Sequence, residues 1–144
     1  MLVQQILKGK ANDGVISVTP DATVAEATQL LSAHRIGTVV VSGDGTTLDG
    51  ILSERDIVRE LGKRGVGCLA DAVATMMTAK ITTCTPDDSA DRVLELMTHG
   101  RFRHLPVMEG GRMIGLISIG DVVKARLSEL AMERDALEGM IMGN

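Results

Sequence analysis

Aromatic residues are almost missing from this 144-residue chain, which has no Trp, no Tyr and a single Phe. Without rings to stack bases on, the usual platform for single-stranded nucleic acid is absent. A net charge of −4 and a pI near 5.3 also argue against a basic face that tracks phosphodiester backbones. Cysteine is scarce: Cys68 and Cys84 form no CxxC pair and have no histidine nearby. They read as reduced cytosolic thiols, one of them packed as a small hydrophobe. No apolar run approaches the ~20 residues that a membrane span needs. The lysines of residues 1–10 follow a short apolar stretch rather than precede it, the wrong order for a secretory signal. Nucleic acid and membrane are thus excluded as partners, and a cytoplasmic location is expected.

What is present is ordinary for a soluble globular domain: 44% hydrophobic and 24% charged residues, with nine Met and the aliphatics left to fill the core. A chain of this length is one domain's worth of protein and buries roughly 70% of its unfolded surface.

The chain also repeats itself. Gly50-Ile51-Leu52-Ser53-Glu54-Arg55-Asp56 returns as Gly115-Leu116-Ile117-Ser118-Ile119-Gly120-Asp121. Upstream, Val18-Thr19-Pro20-Asp21 is echoed by Cys84-Thr85-Pro86-Asp87. The prolines lie 66 positions apart and the glycines 65, so one residue has been lost in between, as a deletion in a hairpin would do. Repetition of this kind sets the architecture before any local reading. Two interlocked halves are expected rather than two independent domains.

Each half reads β-α-β-β-α. In the first, a short strand over Val15 to Val18 precedes a helix from Thr23 to His34. Thr23-Val24-Ala25-Glu26 has capping-box spacing, and Val24, Ala27, Leu30 and Leu31 form its inner face. Strands follow at Thr38 to Val41, too apolar to face water on both sides, and at Leu48 to Leu52, joined by a turn at Gly43-Asp44-Gly45. A closing helix over Ser53 to Leu61 ends in the glycines of 62–67. The second half repeats the order, with a strand near Thr82 to Cys84 and a helix over Ser89 to His99 with Val93, Leu94 and Met97 inward. Strands His104 to Met108 and Met113 to Ile117 come next, and a last helix starts at Ser118. The expected organisation is repeat one over about residues 12–62, a connector over about 62–76, repeat two over about 77–126 and a helical extension over about 127–144. A three-stranded sheet cannot bury itself alone, so two α/β halves packed through their sheets are expected. The extension carries Val123, Leu127, Leu130, Leu137 and Ile141 at heptad-like spacing interrupted by Arg134. Such a stripe either folds back on its own module or meets another chain, and a homodimer is expected.

A strand that turns into a helix at Ser-x-x-Asp presents chemistry as well as structure. N–H groups at a helix start attract anions, and the serine hydroxyl adds a donor for a phosphate oxygen. The aspartate repels phosphate but can accept two hydrogen bonds from a cis-diol such as that of a ribose. Together these describe a nucleotide's sugar phosphate. The same spacing is also that of a capping box serving only its own helix, and duplication would copy either.

The paired TPD starts, His34-Arg35-Ile36-Gly37-Thr38-Val39-Val40-Val41 against Arg101-Phe102-Arg103-His104-Leu105-Pro106-Val107, and the two Gly-x-x-Ser-x-x-Asp ends together resemble a tandem pair of cystathionine-β-synthase-type (CBS) domains. The resemblance covers about residues 12–125, and the Ser-Glu-Arg-Asp-Ile-Val-Arg run and charged helical tail further resemble small stand-alone bacterial CBS-pair proteins rather than modules attached to an enzyme. It implies two clefts between pseudo-twofold halves, which in this family often hold AMP, ADP, ATP, NAD or S-adenosylmethionine. In one cleft Ser118 and Asp121 would take phosphate and ribose with Arg103 or His104 near the phosphate. Asp13, Val15, Ile36, Gly37 and Thr38 would form its base slot. The other cleft would use Ser53, Asp56 and Arg55, with Lys80, Ile81, Phe102, Arg103 and His104 around the base. Gly37 and Thr38 stand where the second repeat has Arg103 and His104, and Ala11-Asn12 where it has Met77-Thr78, so the clefts should differ in charge and in ligand. The family also implies a regulatory role through a regulated protein partner, or else a docking module with no small ligand.

No catalytic role is expected, since neither motif serine has an adjacent base and no Ser/His/Asp or Cys/His arrangement is visible. His34, His99 and His104 lack metal-ligand spacing. Asp44, Asp49, Asp87 and Asp88 sit at turns and helix starts, where carboxylates are routine. Gly43-x-Gly45 is a hairpin turn rather than a dinucleotide fingerprint, and Met76-Met77 reads as core.

Overall fold

The computed structural model describes residues 1–10 and 14–143. Elements run in the order α1 (Val3–Lys8), β1 (Ser17–Val18), α2 (Val24–His34), β2 (Thr38–Val41), β3 (Gly50–Ser53), α3 (Glu54–Arg64), α4 (Ala90–Gly100), β4 (His104–Glu109), β5 (Arg112–Ser118) and α5 (Ile119–Ile141). Two short 3₁₀ turns, Val66–Ala70 and Val73–Thr75, lie between α3 and α4. The mixed α/β class is as expected, and the order of elements is doubled except for the first strand of the second half.

The chain divides into two compact units. The first comprises residues 1–13, 83–108 and 115–144, and the second residues 14–82 and 109–114. The second unit holds the sheet β1-β2-β3, with β1 parallel to β2 and β2 antiparallel to β3. All four residues of β2 are buried, which accounts for its unbroken Thr-Val-Val-Val run. Val18, Val24, Ala27, Leu31, Val39, Val41, Leu52, Ile57 and Val73 make its core, with Met76 and Met77 packed against it. The core of the first unit is built from Val3, Ile6, Cys84, Val93, Met97, Leu105, Val107, Ile117 and Val122, among others.

The strand expected at Thr82 to Cys84 is reduced to a single parallel bridge, Cys84 to Val107. Cys84 donates to the Pro106 carbonyl at 3.0 Å and accepts from Met108 at 2.8 Å. The next rung would need an N–H from Pro106, which has none. In the first repeat Val40 stands at that place and does donate, to the Ile16 carbonyl at 3.1 Å. The first strand is shorter than expected too, two residues rather than four. The hairpins differ as the offset implied: Gly110 and Gly111, both at positive φ, make a tight two-residue turn suited to strand twist. The longer loop of the first repeat is organised by Asp44, whose Oδ1 accepts from the amides of Thr46 and Thr47 at 2.9 and 2.6 Å.

Helix α3 continues past Leu61 to Arg64, with Gly62 inside it. Arg64 pairs with Glu60 and Asp71, each at 2.8 Å, and Lys63 and Arg64 suit the negative end of a helix. Both cysteines are free and buried. Burial pushes the Cys84 thiol up to about 12, so it packs as a hydrophobe.

Helix α1 was not foreseen, and it extends the internal symmetry upstream. Leu2 bridges Ser89 as Ala72 bridges Thr23; each pair sets the segment that precedes one repeat on the N-cap of the other repeat's first long helix. Leu7 then lies on Gly115 and Met77 on Gly50. The segment 71–80 thus does for the first repeat what residues 1–10 do for the second. A Cβ at Gly50 would come within 2.6 Å of Met77 Sδ and 2.9 Å of the Thr78 carbonyl oxygen, whereas at Gly115 it would meet only the Leu7 methyls, at 2.9 and 3.2 Å. Backbone cannot yield as a side-chain end can, because Thr78 is tied to Ile51 by two hydrogen bonds of 2.9 and 3.0 Å. Urea denaturation should therefore show Gly50→Ala destabilising by about 2–3 kcal/mol and Gly115→Ala by about 1 kcal/mol.

Candidate functional site

Two strand-to-helix turns carry the repeated motif, one in each unit. At β3–α3, the Ser53 hydroxyl accepts from the Asp56 amide at 3.2 Å, and Asp56 Oδ2 accepts from the Ser53 amide at 3.0 Å and hydroxyl at 2.9 Å. At β5–α5, the Ser118 hydroxyl accepts from the Asp121 amide at 3.0 Å and Asp121 Oδ2 accepts from the Ser118 amide at 2.9 Å. Both motifs are therefore reciprocal capping boxes. The amide that follows each serine is also used: Glu54 donates to the Gly37 carbonyl at 2.8 Å and Ile119 to the Arg103 carbonyl at 2.9 Å. Of the amides that a helix start offers an anion, those of Arg55 and Gly120 have no partner among the described residues.

The two turns part company at the second carboxylate oxygen. Asp56 Oδ1 is held by Arg59 Nη2 at 2.8 Å, so both of its oxygens are engaged. Asp121 Oδ1 takes no hydrogen bond from a described residue. Asp121 Oδ2 takes a second one, from Lys10 Nζ at 2.8 Å, and Lys10 also donates to the Leu116 carbonyl at 2.8 Å. Burial alone would raise the Asp121 pKa, but the hydrogen bond and charge of Lys10, with the Ser118 amide, outweigh it and hold the carboxyl below its ordinary value. His104 lies in the same field. Burial lowers its pKa, Lys10 and Arg103 repel its proton, and Asp121 opposes them only in part, so the neutral form of the ring is favoured.

Of the other residues singled out from the sequence, Phe102, Arg103, His104, Ser118 and Asp121 fall in the first unit. Val15, Ile36, Gly37, Thr38, Ser53, Arg55, Asp56, Lys80 and Ile81 fall in the second. Arg55, Lys80 and Arg103 are exposed, Thr38 is buried, and Val15, Ile36, Gly37 and Ile81 are half-buried. The Phe102 ring covers Gly100 at the end of α4, and Glu54 lies over Gly37. Asp13, with Ala11 and Asn12, lies outside the described residues. Lys10 was missed. Its faint signal is that Leu7-Lys8-Gly9-Lys10 and Met77-Thr78-Ala79-Lys80 share an apolar residue followed three places on by lysine. Among the described residues, no three His, Cys, Asp or Glu side chains gather as a metal site, and no helix is long and apolar enough to cross a membrane.

The CBS domain family model matches twice, over residues 4–63 and 72–128. The chain belongs to the CBS-domain family. As a tandem CBS pair it is 38% identical over 141 residues to the mitochondrial CBS domain-containing protein CBSX3 of Arabidopsis thaliana, covering 94% of this chain and 68% of that one. It superposes with a TM-score of 0.82 and 43% identity on a CBS-domain containing protein from Agrobacterium tumefaciens, covering 88% of this chain and 99% of that one. A crystal structure of CBSX2 in complex with AMP matches with a TM-score of 0.73 and 26% identity, covering 88% of this CBS pair and 96% of that chain.

A carboxyl whose folded pKa is depressed contributes stability that is complete above its unfolded value, about 3.9, and lost as pH falls through the folded value. Lys10→Met should thus cost about 1 kcal/mol at pH 7. The gap from the natural chain should narrow below about pH 4 as Asp121 protonates, without closing, because the Leu116 contact is lost at every pH. Urea titrations from pH 3 to 8 would show it.

Proposed function

We propose that this CBS pair is a cytoplasmic regulatory module that binds an adenine nucleotide of the AMP, ATP or NAD class and converts occupancy into a shift of its own conformation or a partner's. The observation that carries this reading is the turn at Ser118. There a serine, a carboxylate with one oxygen that takes no hydrogen bond from a described residue, a lysine, a histidine and an exposed arginine gather at the start of a long helix. The serine and basic residues suit a phosphate and the carboxylate suits a ribose diol. The AMP complex of the related CBSX2 supports the same class of ligand. The role is binding rather than turnover, and a ligand that favours one of two arrangements shifts their populations by its difference in affinity.

The Asp56 turn is the poorer ribose site, because both of its carboxylate oxygens are engaged and a diol there would have to break the Arg59 pair, whereas Asp121 Oδ1 takes no hydrogen bond from a described residue. The two sites therefore differ in affinity, with the Asp121 site filled first. AMP at a hundredfold above its dissociation constant should stabilise the protein by about 2.7 kcal/mol, read as a rise in melting temperature. Asp121→Ala should weaken binding roughly ten- to a hundredfold and Asp56→Ala much less. No thermal response to AMP, ADP, ATP or NAD would favour the second reading, a docking module whose motifs serve only as caps.

The same reading makes the protein a homodimer through α5. Beyond Ala125 this helix buries none of its apolar residues within the chain, and Leu127, Leu130, Leu137 and Ile141 are 49–83% exposed. An exposed apolar stripe this long calls for a partner. Truncation before Leu130 should convert the dimer to monomer on a sizing column; a surviving dimer would place the contact elsewhere.

A further inference from the structure

We infer that Lys10 is the residue by which the Asp121 site prefers a phosphorylated nucleoside, passing from the Asp121 carboxylate to the ligand's phosphate when a ribose takes that carboxylate. The inference rests on the nucleotide reading above and adds a residue and a selectivity to it. A cis-diol needs both oxygens of Asp121, and Oδ2 already accepts from Lys10 and from the Ser118 amide. Of these two donors only Lys10 can leave without undoing the cap of α5. Its ammonium has three N–H donors, with one on Asp121 and one on the Leu116 carbonyl. It can therefore keep the second while the first is released.

Charge decides where the released donor goes. An uncharged nucleoside would separate a half-buried ion pair and return nothing to the lysine. A phosphate would return an anion, and the serine hydroxyl and Gly120 amide that could receive it lie on the turn Lys10 already touches through Leu116. The Asp56 turn lacks this device, because its carboxylate is paired by Arg59 from its own helix and Lys80 is exposed with no partner among the described residues. Lys10 also follows α1 after a single glycine, so its transfer would carry occupancy to the N-terminal segment.

Calorimetry of the full chain with AMP and with adenosine, in the natural protein and in Lys10→Gln and Lys10→Arg, tests this. The natural protein should favour AMP. Lys10→Gln should cut the AMP-over-adenosine ratio at least tenfold while leaving adenosine equal or tighter, and Lys10→Arg should restore most of it. In ¹⁵N spectra the Lys10 Nζ resonance of the natural protein should move on adding AMP to a position different from that with adenosine. Equal loss of both ligands in Lys10→Gln, or an unmoved Lys10 resonance on saturation with AMP, would overturn the inference and leave nucleotide binding standing. Failure of the natural protein to bind either ligand would remove both.

Discussion

Each compact unit depends on a segment laid across the glycine of its closing strand. A β-hairpin and two helices leave part of the sheet surface uncovered, and a small sheet with an open face is not stable alone. Residues 1–10 supply the cover for one unit and residues 71–80 for the other. The lack of a Cβ at Gly115 and Gly50 lets Leu7 and Met77 approach the strand directly, and the strand then delivers its serine to the helix start a fixed three residues on. The motif is thus held by packing from one side and by its own cap from the other.

That arrangement explains why the two copies of one motif are chemically unequal. Their caps are equivalent to within a few tenths of an ångström, because a capping box is a local structure with few free torsions. Their surroundings are set by what packs beside them. The N-terminal segment brings a lysine to Asp121, while Asp56 is served by an arginine on its own helix. Duplication preserved the frame and let the electrostatics diverge.

Much of the frame was legible because its signals are periodic and local. The caps at Thr23, Ser53 and Ser118, the helix start at Ser89, the buried run at Thr38 to Val41 and the helix faces of Val24, Ala27, Val93 and Met97 all follow from spacing. The short first strand of the second repeat was misjudged because Pro106 acts on a partner strand, out of reach of any local pattern. Helix α1 was missed because six residues carry too little periodicity to stand out and its order comes from packing.

From the sequence alone came the tandem CBS pair, the mixed α/β class and the Ser-x-x-Asp turns, since repetition and capping are written in residues a few places apart. Tertiary structure decided that Lys10 of the N-terminal segment lies on Asp121, while Asp56 meets no such distant cation among the described residues and pairs with Arg59 of its own helix. Those outcomes depend on which side chains arrive from distant positions and how much water they exclude, and a charge's effect on its neighbour is set by separation in space rather than along the chain.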